Sequence, residues 1–160
     1  MADDVRDTVW SRGGAWVVWQ FPLVGLALVA ARLGPRLPAV TVGPLRWLGT
    51  ALIGGGGLLL LAGLAGLGRN LTPFPKPRPD GQLVQSGPYG LVRHPVYGGA
   101  IMAVVGWALL HGRWAGLVAS AALAIFLDQK ANREERWLVS QFPEYSGYRR
   151  RVNKLIPWLY

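Results

Sequence analysis

Four mostly apolar stretches divide the chain. They cover residues 15–31, 45–67, 96–110 and 114–127. The second is the longest and contains only Arg46 and Thr50 as polar residues. The third and fourth are each shorter than the roughly 20 residues that a membrane span needs, and only residues 111–113 separate them. The pattern predicts an all-α integral membrane bundle of about four transmembrane helices. The third and fourth form a short hairpin whose helices extend past the bilayer core at their polar ends.

Chain length and the order of these stretches indicate one domain. At 160 residues the chain is long enough for one domain and too short for two ordinary ones. We expect a single membrane domain over residues 1–160 with four parts. These are two N-terminal membrane helices (1–68), a polar loop (69–95), the helical hairpin (96–127) and a polar helix with the C-terminal tail (128–160).

Composition supports a membrane protein, and the distribution of basic residues gives it an orientation. Apolar residues make up 51% of the chain and charged residues 16%, whereas about a quarter of the residues in soluble domains are charged. The net charge is +9, but the basic residues border the apolar stretches, so we expect a membrane flank and no nucleic-acid partner. Four of the 17 Lys and Arg residues lie on one side of a four-helix arrangement: Arg32, Arg36, Arg46 and Arg113. The other side is richer in basic residues, so both termini are predicted to be cytoplasmic.

Composition also excludes several kinds of chemistry. The chain has no cysteine, which rules out disulfides and a thiol nucleophile. Its only histidines are His94 and His111, so no multi-histidine metal site is expected. The N-terminal segment MADDVRDTVW is acidic and lacks the basic-then-apolar order of a signal peptide. We therefore expect the first apolar stretch to be a retained helix.

Glycine and proline mark two further features. In the second apolar stretch, small residues predict close packing against a neighbouring helix; they are Gly54 to Gly57, Ala62, Gly63, Ala65 and Gly66. The loop over residues 69–95 contains TPFPKPRPDG, whose prolines impose an extended path. A 27-residue loop in so small a protein is more often functional or disordered than a plain connection.

Two groups of polar residues flank the hairpin on its predicted cytoplasmic side. Arg93, His94 and Tyr97 stand at the entry to the third helix. The second group lies on FLDQKANREERWLVSQF, which continues the fourth helix. Because the hairpin is short, we expect the two groups to emerge close together on one side of the membrane.

The helical period arranges the second group into neighbouring stripes. Asp128, Asn132 and Glu135 lie on one stripe, and Lys130 and Glu134 form an i,i+4 pair beside it. An Arg, a His, two carboxylates and several tyrosines then converge, which suits a zwitterionic or charged cofactor. Arg and His bind carboxylates, while carboxylates bind an ammonium or ribose hydroxyls, and tyrosine faces stabilise cations.

Each part alone also fits a simpler interpretation. Arg-His-Pro at a helix start serves as a cap and interface anchor, and Glu134 and Glu135 serve as solvated helix charges. The tail SGYRRRVNKLIPWLY fits a basic amphipathic segment on anionic lipid. The residues by themselves indicate a membrane protein with a cytoplasmic polar site.

A family resemblance sharpens this interpretation. The run LVQSGPYGLVRHPVYG at residues 83–98 resembles the signature of the isoprenylcysteine carboxyl methyltransferase and phospholipid methyltransferase superfamily. The second half of that signature follows in order: Glu134, Glu135, Leu138, Phe142, Glu144, Tyr145, Tyr148, Val152 and Pro157. The resemblance covers roughly residues 81–157, and either block alone would be a weak signal.

The resemblance implies an S-adenosylmethionine pocket roofed by the cytoplasmic loop and the C-terminal helix, with S-adenosylhomocysteine as product. The cofactor-binding residues that it implies are Leu83, Val84, Gly87, Tyr89, Arg93, His94, Tyr97, Gly98, Glu134 and Glu135. Among them, Leu83 and Val84 would meet the adenine, and Arg93 with His94 would hold the amino-acid end. A basic residue one turn before the Glu pair often serves the acceptor in this superfamily, which points to Lys130, with Arg133 nearer. Glu135 would act as general base for an amine or hydroxyl acceptor.

The resemblance thus implies an S-adenosylmethionine-dependent methyltransferase that acts on a lipidic or prenylated acceptor at the cytoplasmic membrane face. Prenylated cysteine, a phospholipid amine and an isoprenoid acid or alcohol remain open as acceptors. One alternative is an NADPH-dependent, sterol-reductase-like oxidoreductase, which shares a related Arg-His-Pro-x-Tyr region and would use Lys76 and Arg78 for the second phosphate. The other is a non-catalytic membrane protein on the same scaffold. The sequence gives no oligomeric state.

Overall fold

The computed structural model describes residues 8–157 and residue 160, and the acidic stretch 1–7 lies outside the described residues. Within that part, the chain forms α-helices and short 3-10 turns and no strand. The helices are α1 (Gly14–Leu33), α2 (Ala39–Leu67), α3 (Pro95–His111), α4 (Trp114–Gln141) and α5 (Tyr145–Arg151). The 3-10 turns are Gly68–Asn70 and Gly87–Gly90. The all-α prediction is confirmed for these residues.

Helix length separates the first two helices from the next two. Gly14–Leu33 and Gly43–Asn70 are long and apolar enough to cross a bilayer. Helix α3 has 17 residues and rises about 25 Å, less than the roughly 30 Å of a hydrocarbon core. Helix α4 is apolar only over its first half, residues 114–127. Two spans are therefore supported by length and composition, and the four-span arrangement stays a prediction.

Helices α2 and α3 pack through glycines spaced seven residues apart. A Cβ at Gly56 would lie 2.6 Å from the carbonyl oxygen of Gly99, and one at Gly106 would lie 2.6 Å from that of Gly49. Gly63 continues the row against Val96 and Pro95. Because no side chain separates the two backbones, α2 and α3 approach closely along their whole contact.

The predicted glycine packing is thus correct for part of the cluster. Gly56 and Gly63 face α3, whereas a Cβ added at Gly54 or Gly57 would meet no atom within 4 Å. The reason is the helical period: neighbouring residues point 100° apart, whereas residues seven apart return to nearly the same direction.

The predicted hairpin is present between α3 and α4. Gly112 has φ 60° and ψ 47°, the left-handed conformation that glycine adopts without strain, and α4 begins two residues later. Beside the hairpin, Ala27 of α1 packs with Val104, Leu123 and Leu127 in a buried cluster. Helix α4 continues 14 residues beyond Leu127, and these residues carry its polar half away from the apolar core.

The chain after α4 folds back onto the start of α3. Phe142 is extended, with φ −123° and ψ 102°, because a residue before proline avoids the helical region; Pro143 therefore ends α4. After α5, the amide of Arg93 donates to the carbonyl of Asn153 at 2.8 Å, and that of His94 donates to Lys154 at 3.0 Å. These two bonds fix the C-terminal segment against the entry to α3.

Candidate active site

The entry to α3 and the polar half of α4 meet at Glu135. Arg93 Nε donates to Glu135 Oε1 at 2.9 Å, and His94 Nε2 lies 3.1 Å from the same oxygen. Arg149 Nε, from α5, is 3.3 Å from Glu135 Oε2. Residues more than 40 positions apart are therefore in direct contact, and the predicted proximity of the two polar groups is confirmed.

Glu135 is an ionised and fully engaged carboxylate. Burial alone would raise its pKa, but the hydrogen bonds and charges of His94 and Arg93 prevail and lower the pKa of Glu135 to about 2. Its side chain is only 3% exposed, and both of its oxygens have basic partners. This geometry favours an anchoring role over that of a proton acceptor near neutral pH.

A second contact joins α3 to α4 one residue earlier. The hydroxyl of Tyr97 donates to Glu134 Oε2 at 2.7 Å. The ring of His94 lies parallel to that of Tyr97, with centroids 5.4 Å apart. Within the described residues, Glu134 Oε1 has no hydrogen bond, so one oxygen of this carboxylate remains available for a ligand.

A cavity lies between the proline-rich loop, the end of α4 and α5. Its walls include five of the predicted cofactor residues: Leu83, Val84, Tyr89, Arg93 and Glu134. Aromatic side chains supply much of the remaining wall, namely Phe74, Phe142, Tyr145 and Tyr148. The cavity volume is about 80 Å³, well below the roughly 300 Å³ of the smallest typical ligand sites. A ligand of cofactor size therefore needs a wider cavity than the one in this structure.

Tyr145, which lines this cavity, has an unsatisfied hydroxyl. Its side chain is almost fully buried, and its hydroxyl is the only buried side-chain nitrogen or oxygen without a hydrogen-bond partner in the part of the chain that the structure describes. Burial raises the pKa of Tyr145 far above its ordinary value, so the group stays protonated. Such orphaned groups are rare in native structures and cost about 1–3 kcal/mol. The hydroxyl thus suits a ligand with a polar atom at this position.

The guanidinium of Arg93 has two nitrogens that donate hydrogen bonds within the chain and one that does not. Its Nε bonds to Glu135, and its Nη1 donates to the carbonyls of Arg149 and Val152. No described residue accepts a hydrogen bond from Nη2. Since Arg93 lines the cavity, this fixed amino group suits a carboxylate ligand.

The other predicted cofactor residues do not line the cavity. Gly87, with φ 60°, begins the turn that leads to Tyr89. His94 is buried beneath the site between Glu135 and Tyr97. Gly98 faces the C-terminal segment, where an added Cβ would lie 2.8 Å from the carbonyl oxygen of Leu155.

The two basic residues predicted for the acceptor also point elsewhere. Lys130 Nζ donates to Gln20 Oε1 at 2.6 Å and to the carbonyl of Pro73 at 3.4 Å, so it joins α1 to the proline-rich loop. It forms these contacts in place of an ion pair with Glu134. Arg133 is exposed, and its guanidinium lies 4.7 Å from the ring centroid of Trp137. Neither side chain lines the cavity.

The sequence prediction assigned no role to several residues of the site. Tyr145 belongs to the recognised motif, but nothing in the sequence marks its hydroxyl as unsatisfied. Arg149 is one of three consecutive arginines, and no local signal selects it as the partner of Glu135. Asn70 accepts a hydrogen bond from the amide of Gln82 at 2.8 Å and so closes the loop at its base.

A second buried ion pair fixes the C-terminal segment. Lys154 Nζ donates to Asp128 Oδ1 and to Asn132 Oδ1, the latter at 2.8 Å. The hydroxyl of Tyr160 donates to Asp128 at 3.2 Å. Because the backbone of residues 153–154 is bonded to Arg93 and His94, this pair supports the site from behind.

Comparison with known proteins agrees with the motif. Residues 45–145, from within α2 to the start of α5, match the family described as phospholipid methyltransferase. The chain belongs to this family. The match includes the cavity loop, the entry to α3 and all of α4, and it confirms the resemblance found in the sequence.

Individual relatives match over about half of the chain. The cobalt-zinc-cadmium resistance protein CzcN of Cupriavidus metallidurans is 35% identical over 83 residues, covering 51% of this chain and 38% of that protein. The protein-S-isoprenylcysteine O-methyltransferase of Schizosaccharomyces pombe is 39% identical over 80 residues, 49% of this chain and 34% of the relative. The methanethiol S-methyltransferase 1 of Bradyrhizobium diazoefficiens is 39% identical over 71 residues, covering 44% of this chain and 24% of that protein. The matched segments thus span well under half of each relative.

Proposed function

We propose that this protein is an S-adenosylmethionine-dependent methyltransferase that acts on an acceptor with a hydrocarbon part. The observation that carries the proposal is the cavity in which an unsatisfied Tyr145 hydroxyl stands with Arg93 and Glu134. Membership of the phospholipid methyltransferase family and the names of two relatives support the same chemistry.

The donor set fits a zwitterionic nucleoside cofactor. Arg93 Nη2 would hold the carboxylate of the amino-acid end, and Glu134 Oε1 would accept from its ammonium or from ribose hydroxyls. Aromatic faces around the cavity would stabilise the positive sulfonium. Leu83 and Val84 offer backbone groups and apolar side chains for the adenine.

When bound, S-adenosylmethionine supplies a methyl group on a sulfonium and leaves as the neutral thioether S-adenosylhomocysteine. The work of the protein is then to align the acceptor with the methyl group and to exclude water. A carboxylate or thiolate acceptor needs no base. With a pKa of about 2 and both oxygens engaged, Glu135 serves in this proposal to hold Arg93 in position rather than to remove a proton.

An apolar groove supports a lipidic acceptor. It lies between α2, α3, α4 and the C-terminal segment, has a volume of about 680 Å³, and is lined by Leu52, Ile101, Met102, Val105 and Ile125 among others. Asp128, Gln129 and Tyr160 stand at its polar edge. A hydrocarbon chain fits such a groove, and the acceptor would enter it from the bilayer.

We further propose that the site faces the cytoplasm with both termini on that side, as the distribution of basic residues predicts.

Calorimetry on the detergent-solubilised protein tests the cofactor. We expect S-adenosylhomocysteine to bind and NADPH not to bind. Tyr145→Phe removes only the hydroxyl and should weaken S-adenosylhomocysteine binding about fivefold, since one hydrogen bond contributes roughly 1 kcal/mol. Ser140→Ala, which removes an exposed hydroxyl that bonds only within α4 and lies outside the cavity, is the control. Binding of NADPH alone would favour the reductase alternative, in which Arg78 would have to leave its pair with Asp80.

A labelling experiment tests the reaction. Membranes containing the protein receive S-adenosylmethionine with an isotopically labelled methyl group, and the labelled lipid is identified by mass spectrometry. The expected result is one class of labelled apolar product that depends on Arg93. Cofactor binding without any labelled product would favour the non-catalytic alternative.

A further inference from the structure

The end of the bundle opposite the cavity carries an unusual concentration of arginines. Arg32 and Arg36 lie at and just after the end of α1, Arg46 lies in the first turns of α2, and Arg113 joins α3 to α4. Together with His111 they border an open cleft of about 880 Å³. Arg32 Nη1 lies 3.5 Å from His111 Nε2, so these two side chains meet at the cleft.

No acidic residue balances these charges. The sequence contains no Asp or Glu from residue 8 to residue 79, and none from 81 to 127. Both loops at this end fall within those ranges, as do α1, α2, α3 and the first half of α4. Within the part of the chain that the structure describes, none of these four arginines forms an ion pair with a carboxylate.

The backbone brings two of the arginines face to face. Arg36 and Arg113 pair across a short antiparallel bridge, and the amide of Leu37 donates to the carbonyl of Gly112 at 2.8 Å. Like charges directly opposite each other are destabilising. The Arg113 guanidinium donates to the carbonyl of Gly34, whereas that of Arg36 has no hydrogen bond within the described residues. An anion between them would remove the repulsion.

Exposed tryptophans lie next to these arginines in the sequence, which is typical of a membrane interface. Trp47 is 81% exposed beside Arg46, and Trp114 follows Arg113 with about half of its surface exposed. The guanidinium of Arg32 lies 5.9 Å from the ring centroid of Trp107. Tryptophan is enriched at the depth of lipid headgroups. The arginine cleft therefore lies where phospholipid phosphates are found.

We propose that this cleft, formed by Arg32, Arg36, Arg46 and Arg113, binds the headgroup phosphate of an anionic phospholipid. The lipid is a structural ligand of the leaflet opposite the cavity. Its phosphodiester supplies the negative charge that the chain lacks at this end, and its acyl chains lie along the apolar surface of α1 and α2. The proposal does not depend on the methyltransferase reaction.

Native mass spectrometry of the full chain tests the proposal. The protein in neutral detergent is mixed with phosphatidylglycerol or with phosphatidylcholine of the same acyl chains, and retained lipid is measured. We expect wild type to retain phosphatidylglycerol selectively. The double variant Arg36→Gln/Arg46→Gln should bind it about 30-fold more weakly, given the contribution of each basic residue at an anionic lipid surface.

The matched control removes two exposed arginines at the other end. Arg136→Gln/Arg150→Gln changes the net charge equally and should retain phosphatidylglycerol as wild type does. Equal losses in the two double variants, or equal retention of phosphatidylcholine by wild type, would overturn the proposal. Full displacement of the lipid by millimolar inorganic phosphate would also overturn it, because the site would then belong to free phosphate.

Discussion

The two polar ends of the bundle treat charge in opposite ways. At the cavity end, the buried charges of the described residues are held by groups of the chain itself. Glu135 is paired with Arg93, His94 and Arg149, and Lys154 with Asp128, while Lys130 bonds to neutral oxygens. At the opposite end, four arginines stand without an acidic residue in the sequence nearby. The charges at the cavity end form a network within the chain. At the arginine end, no described acidic residue pairs with the arginines.

The difference indicates which end has its charges paired by folding alone. A satisfied buried network holds its members in fixed positions, which a cofactor site needs. Removal of one partner from such a network leaves an uncompensated buried charge. Exposed like charges cost little in stability and are instead well placed to attract an external anion. Substitutions at the two ends should therefore differ in size and in kind.

Glu135→Ala should have the largest effect. It leaves Arg93 and His94 buried without their carboxylate, which costs roughly 3–5 kcal/mol for a buried ion pair that loses one partner. We expect a strongly lowered Tm in detergent and no measurable S-adenosylhomocysteine binding by calorimetry. A Tm indistinguishable from that of wild type would show that the network does not support the fold.

Acid should weaken the cavity end through the same residue. The pKa of Glu135 is lowered from 4.5 to about 2 in the folded protein. Its stabilising contribution is therefore fully present above about pH 4.5 and is lost as the pH falls toward 2. Unfolding followed by tryptophan fluorescence should show this loss in wild type and a flatter dependence in Glu135→Gln. Parallel pH curves for the two proteins would contradict the expectation.

Lys154→Met should have an intermediate effect. The side chain keeps its apolar length but loses its bonds to Asp128 and Asn132, at a cost of about 2 kcal/mol for hydrogen bonds to a charged group. S-adenosylhomocysteine binding should weaken as well, because residues 153–154 are bonded to Arg93 and His94. Arg150→Met, an exposed change nearby, is the control and should leave both quantities unchanged.

Arg36→Gln should have the smallest effect on stability. In neutral detergent it removes a repulsion with Arg113 and breaks no described hydrogen bond, so we expect a change within about 0.5 kcal/mol, toward greater stability. The stabilisation gained on adding phosphatidylglycerol should shrink at the same time. A large loss of stability in neutral detergent would mean that the arginine end is as closely networked as the cavity end.

Local patterns in the sequence predicted the helices and the position of the polar groups. The apolar stretches became helices because a backbone surrounded by apolar side chains is satisfied by internal hydrogen bonds. The two residues between α3 and α4 force an antiparallel hairpin, so the meeting of Arg93 with Glu135 follows from the connectivity. The same connectivity brings Arg93 and Glu134 to one cavity wall.

The roles of particular side chains depended on contacts that no local pattern contains. Lys130 was predicted to pair with Glu134, its neighbour one turn away, yet it bonds to Gln20 and Pro73, because α1 and the loop bring acceptors closer than the helix surface does. No local pattern predicted that Glu135 is also paired with Arg149, because Arg149 comes from α5.

The sequence by itself determined the membrane character of the protein, its hairpin and its family, because hydrophobic period, loop length and motif order are properties of neighbouring residues. Only the tertiary structure decided which glycines of α2 meet α3, that the Tyr145 hydroxyl is left unsatisfied in the cavity, and that Arg36 and Arg113 oppose each other. These features depend on how segments far apart in the chain pack together, and packing fixes the distances on which hydrogen bonds and charge interactions depend.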